Sequence, residues 1–453
     1  MRSINPTNGE LVAEYREHTV DEVDEIIESA GRAFRDWRRL SFDDRAGYLR
    51  KTADILEARR DEWAELMAIE MGKPIAGGRA EVDKSAWVCR YYADEAEQML
   101  ADRDIEAGRR KSYVHHEPLG VILAVMPWNF PFWQVIRFAA PALMAGNTAV
   151  LKHASNVTGC ALAIEETFRE AGLPPDAFRT LLIPGSRVDT AIEHQDVTAV
   201  TLTGSDPAGR SVAQKAGALL KKTVLELGGS DPHIVLEDAD VSLAASSCAS
   251  GRLINSGQSC IGAKRFIVHG AVYDRWMELF VDRMASATVG DPLDAATEVG
   301  PQARHDLRDE LHRQVTDSVD RGATLVLGGE IPEGPGAFYP ATVLTGVRPG
   351  MPAYDEELFG PVAAVIAVES EDEAIAVAND TEFGLGASIY TEDLERGERI
   401  AALFIEAGTC FVNAFVASDP RLPFGGIKMS GYGRELSDLG IKEFVNAKTV
   451  VVA

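Results

Sequence analysis

At 453 residues the chain exceeds what one small core organises, and two or three domains are expected. Seventy acidic residues against 45 basic ones give a formal net charge of −25, which argues against a phosphate-binding surface and so against a nucleic-acid partner. Lysine supplies 12 of the basic residues and arginine 33, so the surface is that of either an ordinary acidic cytosolic enzyme or a protein suited to high salt, where like-charge repulsion is screened.

The five cysteines (Cys89, Cys160, Cys248, Cys260, Cys410) are scattered, with no CxxC and no His–Cys cluster. No zinc site and no disulfide framework is expected, and a reducing compartment is. Met1–Pro6 carries no signal-peptide core, and no apolar run approaches the ~18 residues of a membrane span. A cytoplasmic protein without a membrane partner follows as the expectation.

Residues from about 20 to 102 read as helices. Val23, Ile26, Ile27, Ala30, Phe34 and Trp37 repeat on one helical face, Ser41 is placed to cap a second helix, and Gly72 closes a third. Tyr113–His116 alternates weakly, and Gly120–Val125 reads as a buried strand. Strands at Thr148–Leu151, Thr180–Ile183, Val197–Leu202 and Thr223–Leu225 then alternate with helices from about 157 to 171, after Arg187 and after Ser205. Such βα alternation predicts a doubly wound parallel sheet with a ligand crevice at the carboxyl ends of its strands. A second alternating series begins near Phe266 and runs through 324–327, 362–368 and 387–390 to 409–412, with the boundary near Gly228-Gly229. The terminal apolar strand Thr449–Val452 would be a sticky edge if unpaired, so it is expected to pair with other strands or another subunit.

Five stretches carry candidate chemistry. In Pro127-Trp128-Asn129-Phe130-Pro131 two prolines fix the backbone around an asparagine, and a rigid side-chain amide suits an oxyanion site as well as an Asx turn. Lys152 and Ser155 follow a strand end, where a lysine and a small hydroxyl suit a ribose 2′-phosphate; surface solvation is the simpler reading of a lone lysine. Thr203-Gly204-Ser205 joins a strand to a helix whose N-terminus can hold a pyrophosphate, although an ordinary βα turn has the same look and the GxGxxG fingerprint is absent. Glu226, between two leucines at a strand end, is either a desolvated general base or a structurally paired carboxylate. Cys260 ends the small-residue stretch Asn255-Ser256-Gly257-Gln258-Ser259. It reads as an inert buried thiol, or as a nucleophile with Lys264 and Arg265 near enough to favour the thiolate.

Together and in this order these stretches resemble the aldehyde dehydrogenase superfamily across essentially the whole chain. Met71-Gly72-Lys73-Pro74, Gly290-Asp291-Pro292, Gly300-Pro301, Glu356–Val362 and Pro423–Gly431 carry the likeness further. The resemblance implies an α/β fold of two doubly wound parallel-sheet domains plus a small β oligomerisation element. Residues 1–107 and 126–227 would be the cofactor-binding domain, 228–418 the catalytic domain, and 108–125 with 435–453 the oligomerisation element of a homodimer or homotetramer.

It also implies roles. Cys260 would attack the aldehyde to give a thiohemiacetal and then a thioester. Asn129 and the Cys260 N–H would form the oxyanion hole, and Glu226 would activate the hydrolytic water. Trp128, Lys152, Ser155, Gly204, Ser205, Glu357 and Phe359 would bind the nicotinamide cofactor. The rival outside catalysis, a family-like binding protein without turnover, need not keep Cys260, Glu226 and Asn129 together.

Within the superfamily the chain is most similar to succinate-semialdehyde dehydrogenases, through Trp133–Arg137, Lys152–Val157 and Leu227–Pro232. Arg137 would bind the far carboxylate in a bidentate fork, with Trp133 and Ser418 in the same tunnel. A second substrate arginine of some relatives is Ile254 here, and Arg252 does not align with it. Glutarate semialdehyde, or a broad range of aldehydes, is therefore the alternative substrate. Serine at 155, where NAD-preferring relatives often have glutamate, favours NADP with NAD usable. Gly262 replaces the second loop cysteine of redox-switched relatives, so no loop disulfide is expected.

Overall fold

Helices dominate the first hundred residues for the reason their apolar spacing predicts. The structure, a computed structural model, describes residues 1–453. A short hairpin, β1 (Arg2–Ile4) and β2 (Leu11–Glu14), precedes α1 (Val20–Trp37), α2 (Phe42–Ala58), α3 (Arg60–Met71) and α4 (Ile75–Met99). Val23, Ile26, Ile27, Ala30 and Trp37 are the buried face of α1. Thr19 and Ser41 begin α1 and α2 with reciprocal capping boxes, and Gly72 is the left-handed cap that ends α3.

Beyond β3 (Arg103–Asp104) and β4 (Lys111–Pro118), strand and helix alternate. The strands β5 (Val121–Met126), β6 (Thr148–His153), β7 (Phe178–Thr180), β8 (Val197–Thr203) and β9 (Lys222–Glu226) enclose α5 (Trp133–Met144), α6 (Thr158–Glu170), α7 (Val188–Glu193) and α8 (Asp206–Ala218). They form a parallel sheet in the order β9-β8-β5-β6-β7. From β5 the chain winds outward through β6 and β7, and β8 then returns to the other side of β5. The winding direction therefore reverses between β5 and β8, the position at which open α/β sheets leave a crevice.

The second sheet contains β10 (Asp231–Val235), β11 (Ala263–His269), β12 (Thr324–Leu327), β13 (Thr342–Thr345), β14 (Val362–Val368), β15 (Gly386–Tyr390) and β16 (Thr409–Val412), with α9 (Val241–Leu253) after β10. Its order is β12-β13-β14-β11-β10-β15-β16, parallel except for β12. The chain then returns to the first sheet through β17 (Gly431–Tyr432), antiparallel to β9. It ends in β18 (Val445–Val452), which pairs with β4 in a three-stranded sheet ordered β18-β4-β3. The architecture is thus two doubly wound parallel sheets and a small β element. No helix is long and apolar enough to cross a membrane.

Two expectations need correction, and one strand went unannounced by the sequence. Val121–Met126 is not part of the small β element, as a boundary at 125 requires; it lies in the middle of the six-stranded sheet, where its apolar run is buried on both faces. The strand expected at Thr180–Ile183 is Phe178–Thr180. β10 has no apolar alternation to announce it, because Asp231, Pro232 and His233 occupy buried strand positions.

The crossing between the sheets, Gly228-Gly229, is narrow. A Cβ on Gly228 would stand 2.5 Å from Glu357 Oε2, and one on Gly229 would stand 2.9 Å from the Cys260 carbonyl oxygen. The double glycine therefore lets two elements of the second domain close onto the strand ends of the first.

Candidate active site

The Cys260 loop is built from backbone in an uncommon conformation. Asn255, Ser256 and Gly257 follow α9 with φ of 53°, 57° and 75°, a left-handed run that costs roughly 1–2 kcal/mol for each residue bearing a side chain. Local hydrogen bonds hold it. Asn255 Nδ2 donates to the Asn129 and Gln258 carbonyls at 2.8 and 3.0 Å, Ser256 Oγ accepts from Gly300 N–H at 2.9 Å, and Arg252 Nη2 donates to the Gly257 carbonyl at 2.6 Å. Arg252 is fully buried and also donates to the Leu358 and Val362 carbonyls, so it braces the loop and does not face substrate. Strain maintained by surrounding contacts is characteristic of functional loops.

The loop leaves Cys260 at the meeting point of two cavities, each of which it lines. Its backbone N–H has no protein acceptor. Asn129, buried, lines one of these cavities. It spends one amide N–H on the Gln258 carbonyl at 3.0 Å, which fixes the side chain and leaves its other N–H free.

Burial pushes the Cys260 thiol up to about 12, against the opposing pull of Arg137 and Lys264. Lys264 donates to the Ser259 and Cys260 carbonyls at 3.0 and 2.6 Å and pairs with Glu357 Oε1 at 3.1 Å. Arg265 donates to the Ser230, Val377 and Ala378 carbonyls. The expectation that both cations favour the thiolate is therefore corrected for Arg265, which braces the sheet; Lys264 does pull the thiol pKa down, against the larger effect of burial, and also ties the loop to Glu357.

The first cavity, about 690 Å³, opens at the carboxyl ends of β5, β8 and β9. Its lining includes Trp128 and Asn129 after β5, Gly204 and Ser205 after β8, and Gly228, Glu357 and Phe359 from the crossing and the second domain. Trp128 and Phe359 meet edge to face with ring centroids 5.7 Å apart. Glu357 Oε1 accepts from Gly229 N–H at 3.0 Å. Ser205 begins α8 without a side-chain cap bond, so that helix end offers N–H groups to an anion.

Lys152 and Ser155 are not in this lining. They lie one strand over, at the end of β6 and the start of the turn after it. Lys152 is buried without a carboxylate partner, and burial alone lowers its pKa. An unpartnered cation, an open helix end and a glycine crossing that a Cβ would obstruct fit a phosphorylated dinucleotide laid across β6, β5 and β8.

The second cavity, about 870 Å³, lies on the other side of Cys260. It is walled by α4 (Gly77, Ala80, Glu81, Lys84), α5 (Trp133, Gln134, Arg137), the nucleophile loop with Ile254, and Val416–Ser418 with Phe424. Trp133, Arg137 and Ser418 thus line one space with Cys260, as the resemblance implies. Arg137 is buried, its guanidinium stacked 4.8 Å from the Phe424 ring centroid and its Nε ion-paired with buried Glu435. Its Nη2 has no partner.

Glu226 is the one expected catalytic group that the structure does not bring to either cavity. Its carboxylate packs under Gly425, where an added Cβ would be 2.6 Å from Oε1, and neither oxygen has a hydrogen-bond partner. Burial, then the Glu435 charge, raises its pKa well above the ordinary carboxylate range.

Sequence reasoning passed over two residues lining these cavities. Gln134 borders both, nearly fully buried, with Oε1 unpartnered. Lys84 lies on the α4 face shared by Gly77, Ala80 and Glu81, and helical spacing from those small residues was the available signal.

The chain matches the aldehyde dehydrogenase family over residues 1–450 and belongs to it. It is 51% identical over 451 residues, covering 100% of this chain and 99% of the relative, to a probable NADP+ succinate-semialdehyde dehydrogenase of Synechocystis sp.. It is 50% identical over 454 residues, with 100% and 99% coverage, to the NADP+ succinate-semialdehyde dehydrogenase 1 of Mycobacterium tuberculosis. Among solved structures, the succinic semialdehyde dehydrogenase of Streptococcus pyogenes in complex with NADP+ superposes with a TM-score of 0.97 at 40% identity, covering 100% of this chain and 99% of that one. An NAD-dependent aldehyde dehydrogenase of Sinorhizobium meliloti gives 0.97 at 36%, with 100% and 91% coverage.

Proposed function

We propose that this enzyme oxidises succinate semialdehyde to succinate with NADP+ as cofactor. The observation that carries the reading is the position of Cys260 between a cleft fitted to a dinucleotide and a cavity that ends in Arg137, Lys84 and Ser418. A four-carbon semialdehyde has its second charge several ångströms from its carbonyl, and these cations line the same cavity as the thiol.

Cys260 is the nucleophile. Its sulfur adds to the aldehyde carbon, and the alkoxide of the resulting thiohemiacetal is met by the free Cys260 N–H and the fixed Asn129 amide. NADP+, when bound, supplies the hydride acceptor that allows a thioester to form on Cys260. Glu226 takes the proton from water in the hydrolysis of that thioester; burial raises its pKa, which makes its ionised form a stronger base than an ordinary carboxylate. Its packing beneath Gly425 means that a side-chain rotation precedes this step. Lys152 and Ser155 would hold the 2′-phosphate, Gly204 and Ser205 the pyrophosphate and Glu357 the nicotinamide ribose, and Trp128 and Phe359 would serve the nicotinamide end. Trp133 and Phe424 wall the methylene chain.

The unpaired outer edge of β18, with Val451 and Val452 exposed, supports a homodimer or homotetramer, and the reduced-thiol pattern supports a cytoplasmic setting. The arginine-rich acidic composition supports a surface adapted to high salt, with stability and activity that fall as salt is removed; full stability and activity kept from low to molar salt would count against it. The test of function is reduced-cofactor absorbance with succinate semialdehyde, glutarate semialdehyde and butanal, each with NADP+ and NAD+. The expected result is highest kcat/KM for succinate semialdehyde with NADP+, and equal values across the panel would overturn the reading.

A further inference from the structure

Three cations line the aldehyde cavity, and their partners differ. Lys73 is fully buried and pairs with Glu81 Oε2 at 2.6 Å. Arg137 is ion-paired with Glu435, and Glu226 lies in the same buried group, so the Arg137 charge faces internal carboxylates before any ligand arrives. Lys84 alone has no carboxylate within ion-pairing distance. Its ammonium donates to Ser418 Oγ at 2.8 Å and lies 4.5 Å from the centroid of the Trp133 ring. An ammonium has three donors, and Ser418 Oγ, its one acceptor, leaves two of them without a hydrogen-bond partner.

We propose that Lys84 is the principal cation that binds the far carboxylate of the substrate, with Ser418 setting its position and the free Nη2 of Arg137 as a secondary donor. The inference rests on the ω-carboxylated-aldehyde reading above and identifies the residue that enforces it. The physical reason is compensation. A charge already ion-paired with a buried carboxylate gains less from a second one than a largely buried cation whose carboxylate neighbours, Asp419 and Glu81, lie beyond ion-pairing distance. Burial and the neighbouring Arg137 charge lower the Lys84 pKa to about 8, the strain expected of a cation awaiting its counter-ion. Position 84 also answers the isoleucine at 254: the second positive charge comes from α4 and not from the nucleophile loop.

The experiment compares kcat/KM for succinate semialdehyde and for butanal in the wild type, Lys84→Met, Lys84→Arg and Arg137→Met. The ratio of the two values cancels damage to the chemistry that both substrates share. The ratio should fall by about 100-fold in Lys84→Met, chiefly through KM for the charged substrate, by less in Arg137→Met, and stay within about fivefold of wild type in Lys84→Arg. Inhibition by succinate should weaken in parallel, which gives a binding readout independent of turnover. If Lys84→Met does not fold, Lys84→Gln replaces it. A high wild-type ratio left unchanged by the neutral substitution at 84 would overturn this inference alone. A wild-type ratio near one would overturn the substrate reading and this inference with it.

Discussion

The two cavities that meet at Cys260 are built in opposite ways. The cofactor cleft is made where strands end: Pro127–Asn129, Gly204-Ser205 and Gly228 each follow directly from β5, β8 or β9, and main-chain geometry does most of the binding. The aldehyde cavity is made from the sides of helices and from late loops, with α4, α5, residues 254–261 and residues 416–424 each giving a few side chains. Its specificity therefore depends on which charges are already neutralised by neighbours distant in the chain. A fold can reuse the first kind of site unchanged while the second is altered one residue at a time.

The largest test of this division is removal of the group the two cavities share. Cys260→Ala should reduce dehydrogenase activity by at least about 10⁴-fold. NADP+ affinity, measured by fluorescence titration, should hold within a few fold, because the strand-end cleft persists without the thiol. Concurrent loss of cofactor binding would show that the cavities are not independent. Next in size is Asn129→Ala, which removes one fixed donor beside the free Cys260 N–H. A fall in kcat of about 10²–10³ is expected for both charged and neutral aldehydes. A loss confined to one substrate would place Asn129 in recognition and not at the developing oxyanion.

Legibility in the sequence follows the same division. Strand-end residues are contiguous with strong apolar runs, so Gly204, Lys152 and Glu226 could be placed at their strand ends from periodicity, and the α1 face was evident from spacing alone. The aldehyde cavity was partly legible only through resemblance. Arg137 stood out in a motif, but its pairing with Glu435, nearly 300 positions later, has no local signature. Lys84 looks like any helix-surface lysine until Ser418 and Trp133 are folded against it. β10 was illegible because the partners of its buried polar residues come from elsewhere in the chain: Asp231 Oδ1 accepts from Gly386 N–H at 3.0 Å, and His233 sits near Cys248 of α9 and Tyr390 of β15. The left-handed run at Asn255-Ser256 is held by Asn129 and Gly300, again from far away in the chain.

A third test should affect the cofactor cleft alone. Ser155→Glu puts a carboxylate beside the unpartnered Lys152, where it neutralises that cation and repels a 2′-phosphate. Two like charges roughly 5 Å apart at an effective dielectric of about 20 differ by about 3 kcal/mol, on the order of 100-fold. The NADP+/NAD+ ratio of kcat/KM should fall by that amount while the ratio for succinate semialdehyde over butanal stays put. Equal losses with both cofactors would remove the 2′-phosphate role from this turn.

The smallest effect expected belongs to the aldehyde cavity alone, and pH separates it from everything shared. With the free-enzyme pKa of Lys84 at about 8, the ammonium is charged below that value and is lost as pH rises through it. Burial and then Arg137 on α5 push the pKa down, while Asp419, next to Ser418 in the loop after β16, and Glu81 on α4 pull it up. Arg421 holds Asp419 below the usual carboxylate range, so Asp419 stays charged across the window, and Glu81 is paired with buried Lys73. The Cys260 thiol, raised by burial, gives the opposite trend, with more thiolate as pH rises. That gain applies equally to a charged and a neutral aldehyde and cancels in their ratio. The ratio of kcat/KM for succinate semialdehyde over butanal should therefore be flat from pH 6 to about 7.5 and then fall by up to about tenfold per unit above pH 8. In Lys84→Arg, whose cation does not titrate in this range, the ratio should remain flat to pH 9. A wild-type ratio equally flat to pH 9 would mean that Arg137, with its permanent charge, carries the discrimination despite its internal partner.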